Sequence, residues 1–186
     1  MSDPPIALQR HIREAGLPRS TITEDLRAGL GDSRERLFAA ITGLTEEQFR
    51  FTGGGDAWNI AAHLSHLLRI ERVFAERGAL ALREDEPTIK STSVANDDDP
   101  ALAQHLAVPQ IIHGLQASRR DIEALLDGGD AVLTRTIMHE RIGRMTVEQI
   151  VRKMSDHEQE HTAAIAALAR QAQSARRVTI PLTPRS

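Results

Sequence analysis

Three times in this chain a threonine stands three residues ahead of a glutamate or glutamine: Thr21-Ile22-Thr23-Glu24, Thr45-Glu46-Glu47-Gln48 and Thr146-Val147-Glu148-Gln149. Each has the form of a capping box, in which a hydroxyl and a longer polar side chain satisfy donors that a helix leaves open at its start. The first and third boxes introduce long runs whose apolar residues return every three or four positions. Leu26, Leu30, Leu37, Ile41 and Leu44 form one stripe; Val147, Ile150, Met154, Ile165 and Leu168 form another. The pattern predicts long helices opening at Thr21 and at Thr146, the latter reaching Ala172. A break at Gly43 and a short helical turn after Thr45 follow the first.

Two more helices fit between them. One is expected to begin at Asp56 as N-cap and run from Ala57 to about Gly78, with a broad apolar face of Ile60, Leu64, Leu67, Leu68, Ile70, Val73 and Phe74. The other spans Pro109 to Leu126, with Ile111, Leu115, Ile122 and Leu125 inward, and is stopped by Gly128-Gly129. Residues 83–100 read as a long polar surface loop, and Leu133 to Met145 as a connector. Four helices with one apolar face each make a four-helix bundle. No run of alternating β-branched residues is long enough to predict a sheet. The expected fold is all-α: one domain over residues 1–186, with a bundle core over about 21–172 and short extra helical turns. An arm over 1–19 and an extended tail over 173–186 complete it, Val178 to Leu182 being a short strand or wrap.

Composition narrows the function. The formal net charge is −3 and the basic residues are scattered, which argues against nucleic acid as a partner. No stretch approaches the ~20 apolar residues of a membrane span, and the first residues lack a hydrophobic signal core, so a soluble, cytoplasmic protein is expected. The chain has no cysteine. That excludes disulfides, thiolate nucleophiles and sulfur-based zinc sites, and leaves His, Asp and Glu to hold any transition metal.

Histidine is where the pattern becomes specific. His157 and His161 lie one turn apart, in the middle of the apolar stripe of the last helix by a count of roughly 100° per residue. A buried polar group without a partner costs about 1–3 kcal/mol, so two inward imidazoles on one face suit a shared metal ion. Histidines satisfied by hydrogen bonds within a core are the competing reading. His63 and His66 lie on the second helix, and His66 groups with Ile70 and Val73. His63 reads as a packing or supporting residue, with replacement of His66 as ligand as the alternative. Glu71 falls in the apolar arc near Leu64 and Leu67, either orienting a ligand or acting as a base, or else as a solvated carboxylate at the site's mouth. Trp58 is expected to anchor the core and His139 to serve the turn before the last helix. His11, His105 and His113 read as surface or loop residues, and Asp97-Asp98-Asp99 as a solvated loop ending in a helix cap.

The stretch Trp58-Asn59-Ile60-Ala61-Ala62-His63-Leu64-Ser65-His66-Leu67 resembles a signature of the DinB/YfiT-like superfamily of metal-binding helical bundles, in which a tryptophan is followed eight residues later by a histidine ligand. His139 to Thr146, leading into His157-Glu158-Gln159-Glu160-His161, is similar to the superfamily's other signature, a glycine turn and threonine cap ahead of two histidines four residues apart. The resemblance implies that His66, His157 and His161 are the ligands of one divalent transition metal, zinc or nickel, with a fourth position open to substrate. It implies a metal-dependent enzyme acting on a small molecule, either a thiol-dependent S-transferase with a low-molecular-weight thiol such as bacillithiol or mycothiol as cosubstrate, or a hydrolase. A non-catalytic, metal-stabilised bundle serving a stress response or a partner is the alternative, and a homodimer is expected in either case.

Overall fold

The structure, a computed structural model, describes residues 21–54, 58–91 and 107–178. Four long helices carry it: α1 (Ile22–Ile41), α3 (Ile60–Arg83), α4 (Val108–Leu125) and α6 (Val147–Val178). Two single-turn helices join them, α2 (Glu46–Phe49) and α5 (Asp130–Leu133). All three capping boxes form. Thr21 and Glu24, Thr45 and Gln48, and Thr146 and Gln149 exchange side chain-to-backbone hydrogen bonds of 2.7–3.3 Å. α3 opens at Asn59, whose Oδ1 accepts from the amide of Ala62 at 2.8 Å. Asp56, expected in that role, lies outside the described residues. No helix among the described residues is long and apolar enough to cross a membrane.

α6 packs on both α1 and α3, and α3 packs on α4. Of the apolar residues expected to face inward, Leu30, Leu37, Leu64, Leu115, Ile122, Ile150 and Ile165 are fully buried, whereas Leu44, Leu68, Ile70, Val73 and Leu168 are half-buried. α3 and α4 approach closely where Gly114 meets Leu68; a Cβ at that position would come within 2.7 Å of a Leu68 methyl.

The helical bundle is as expected, and it carries one small sheet that the sequence does not predict. Three short strands, β1 (Thr88–Ile89), β2 (Thr136–His139) and β3 (Gly143–Thr146), form a sheet in the order β1-β2-β3. β1 pairs with β2 in parallel, and β2 with β3 in an antiparallel hairpin. Strands of two to four residues are too short for alternation to stand out in sequence. Alternation is there all the same, since Ile137 and His139 are buried while Thr136 and Met138 are only half-buried. Ile89, Ile137 and Met145 seal one end of the core against Phe74, Ile122 and Ile150. So residues 83–100 are not all loop, and 133–145 is more than a connector. The tail boundary also moves, because α6 continues through Val178; Thr179 to Leu182 lie outside the described residues.

The core is divided in two. One apolar cluster lies under the sheet, around Leu30, Phe74, Ile122 and Met154; the other surrounds Leu37, Leu67, Leu115 and Ile165. Between them in sequence, on every long helix, falls one buried charged residue: Arg34 on α1, Glu71 on α3, Arg119 on α4 and Glu158 on α6. Their side chains are 3–10% exposed and meet in one network. Arg34 Nη2 donates to Glu71 and to Glu158, each at 2.9 Å, and Arg119 Nε donates to Glu71 at 2.7 Å. Arg119 Nη2 also donates to Glu158. Ser33 and Ser118 donate to Glu158 and Glu71 respectively. The carbonyls of Leu115 and Leu30 accept from Arg34 and Arg119, tying α1 to α4. Two positive and two negative charges cancel, and the remaining guanidinium donors find acceptors, the condition under which buried charge is tolerated.

Candidate metal centre

α3 and α6 run side by side and bring His63 and His66 against His157 and His161. His66 Nε2 and His157 Nε2 face each other at 2.8 Å, as do His63 Nδ1 and His161 Nδ1. The ring centroids of His66, His157 and His161 are 4.5–5.1 Å apart. One nitrogen from each of these three lies within 4.8 Å of the others, so a single ion could be reached by all. Glu160 approaches from the solvent side, with a carboxylate oxygen 3.8 Å from His157 Nδ1.

The donor set suits a metal on chemical grounds. Two ring nitrogens facing each other at hydrogen-bond distance share at most one proton, so a lone pair is directed into the common space. Burial, aided by the neighbouring His66, holds His157 below the ordinary imidazole range and moves His63 down to about 4. Neutral imidazole is the ligating form.

The stripe on α6 is not centred where the sequence placed it. Val147, Ile150, Val151, Met154, Glu158, Ile165, Ala169 and Ala172 are the deeply buried positions, and Glu158 rather than a histidine holds the middle. His157 and His161 are half-buried on the flank facing α3, because α6 serves two neighbours: one side meets α1, the other carries the imidazoles.

His63 is not among the three converging groups, but its ring orients His161. Trp58, expected as a core anchor, packs on the histidines: its indole stacks on His161 at 6.0 Å and lies 5.0 Å from His66 and 5.4 Å from His63. Glu71 is buried at 3% exposure in the charge network, which excludes the solvated-mouth reading. His113 is exposed on α4 as expected, while His11, His105 and Asp97 to Asp99 lie outside the described residues.

The residues that sequence reasoning missed were marked by position. Arg34 continues the Leu30–Leu37 stripe, Arg119 the Leu115–Ile122 stripe, and Glu158 the Met154–Ile165 stripe. Two arginines and two glutamates at inward positions on separate helices signal a buried, balanced set.

Beside the histidines a cleft of about 580 Å³ runs between α3, α6 and the β2–β3 hairpin, lined among others by His66, His157, Phe74, Arg77, His139, Arg141 and Lys153. His139 does serve the turn: its Nδ1 accepts from the amides of Arg141 at 3.1 Å and Ile142 at 3.4 Å. Gly143 closes that turn at φ +85°, a conformation that favours glycine.

This combination of a bundle, a glycine-closed turn and convergent imidazoles defines a class. The DinB superfamily pattern matches residues 30–165, more than half of the chain, and the protein belongs to that superfamily. Among solved structures it is similar to YfiT from Bacillus subtilis, described as a probable metal-dependent hydrolase with an unusual four-helix bundle topology. The TM-score is 0.71 at 20% identity, over 85% of this chain and 94% of that one. No curated protein matches.

Proposed function

We propose that the protein is a metal-dependent enzyme that binds one divalent transition ion, zinc or nickel, through His66, His157 and His161, and hydrolyses a small molecule held in the adjoining cleft. The observation that carries this reading is the convergence of three imidazoles from two helices beside a cavity of small-molecule size. Three protein ligands leave a bound ion a position for substrate, where it supplies Lewis acidity. His63 fixes the orientation of His161, and Trp58 shields the rings from water on the side it covers. The description of YfiT as a probable hydrolase supports the choice of reaction. Transfer of a low-molecular-weight thiol to an electrophile is the second reading: a chain without cysteine would take its sulfur from a cosubstrate, and the cleft has room for one. The homodimer implied by the resemblance belongs to the same proposal.

The test begins with protein purified without a histidine tag. Elemental analysis should find about one transition ion per chain, and His157→Ala should abolish it. Small esters and amides are then assayed with and without added thiol, before and after chelation. Turnover that vanishes with the ion while the helical signal persists supports catalysis; metal content that survives His157→Ala overturns the assignment. Metal binding without turnover on any substrate favours the non-catalytic bundle.

A further inference from the structure

The cleft has two chemically different ends. At one end are His66 and His157, with Asp156 and Glu160 flanking them on α6. At the other are Arg77 on α3, Arg141 on the hairpin and His139 on β2; Lys153, one turn before His157 on α6, stands between the two ends and acts on both His139 and His157. Eleven residues of α3 separate His66 from Arg77, about 16 Å along the helix, and the wall between them carries Ile70, Val73 and Phe74.

His139 is the least expected member of the basic end. It is 94% buried, yet it lines the cleft. Because Nδ1 accepts two backbone amides, the ring proton sits on Nε2, and no group among the described residues accepts it. The Nε2 donor opens onto the cleft, where an acceptor from a ligand can take the place of water. Arg141 and Lys153 make no ion pair among the described residues, although the same structure pairs Arg27, Arg50, Arg144 and Arg152 with nearby acids.

We infer that this cleft binds an organic anion with an apolar body, its charged group seated among Arg77, Arg141 and Lys153 and accepting the Nε2 proton of His139, its other end directed toward His66 and His157. Guanidinium groups suit carboxylate and phosphate equally well. The apolar wall offers the body of an organic ligand a contact that a bare inorganic anion would leave unused. This rests on the proposed function only at the histidine end, where the ligand's far group would be the one that reacts.

Calorimetric titration with octanoate, octyl phosphate, octanol and octylammonium tests it. The titrations use the full chain with chelator present, so that no probe is held by an ion. Octanoate or octyl phosphate should bind at least tenfold more tightly than octanol or octylammonium, and the better of the two identifies the head group. Arg77→Gln with Arg141→Gln should erase that preference, and His139→Asn, which can still accept the turn amides but loses the outward donor, should weaken binding several-fold. Circular dichroism checks that each variant is folded, and Lys153→Gln on the exposed face stands in should the double variant fail. Four probes binding alike, or an anion preference indifferent to these substitutions, overturns the inference. Failure here leaves the metal content unchanged, whereas failure of the metal reading shows in elemental analysis and leaves the anion preference intact.

Discussion

His157 and Glu158 are adjacent in the chain and face different structures: His157 Nε2 meets His66 on α3, whereas the Glu158 carboxylate lies in the core between Arg34 and Arg119. The 100° turn between neighbouring helical residues makes this possible. The same turn of α6 is therefore fixed on one side by the ionic network and on the other presents the imidazoles. Rotation of the helix that improved one set of contacts would break the other.

Removing a single member of the network should be severe. Glu158→Ala leaves two buried guanidinium groups facing one carboxylate, a situation that costs about 3–5 kcal/mol. Urea denaturation should show this loss. Arg152→Ala, which breaks only an exposed pair with Glu148, should change stability by no more than ~1 kcal/mol.

The single tryptophan reports on the site. Trp58 stacks on His161 and contacts His66, so titrating chelator-treated protein with Ni²⁺ should alter its emission and saturate near about one equivalent. His66→Ala should abolish the response. His63→Ala should keep a saturating response at weaker affinity, since it removes a supporting contact rather than one of the three converging nitrogens.

Stability should fall on acidification through His139. Burial lowers its pKa first, and the positive charges of Arg77 on α3, Arg141 on the hairpin and Lys153 on α6 lower it further, against an opposing pull from Glu140. The unfolded chain takes up this proton near the ordinary value of about 6.5, while the folded chain resists it. Stability is thus fully present above that value and declines as the pH drops toward the lower, folded pKa. Comparing urea midpoints at pH 7.5 and 5.5, His139→Asn should show a smaller pH effect than the parent protein. An undiminished slope would place the titration elsewhere.

Gly143→Ala should destabilise the hairpin by about 1–2 kcal/mol, because φ +85° is a poor conformation for a residue with a Cβ. The same variant should weaken anion binding, since it disturbs the turn that orients His139.

Much of this was legible beforehand. The capping boxes and the three- and four-residue apolar returns place all four long helices, because both signals are local and do not depend on tertiary neighbours. The convergence of His66 on His157 and His161 was approachable because a four-residue spacing on one helix and an inward histidine on another are also local patterns. Glu158 was harder. The apolar returns of α6 include Leu168, which is half-buried, and so point the stripe's axis toward the histidines. The sheet escaped because its strands are two to four residues long, and because β1 reaches β2 only after α4 and α5 have intervened. The cleft escaped for a similar reason: Arg77, His139 and Lys153 are far apart in sequence and meet only through that hairpin.

One residue of alternating sign on every long helix carries an evolutionary consequence. A drift that replaced Arg34 by a neutral side chain would strand a carboxylate on α3 or α6, so viable lineages should change such positions in concert. Relatives lacking one of the four charges should carry a compensating exchange at another, and a chimera that mixes helices from two such relatives should fold only when the signs still balance.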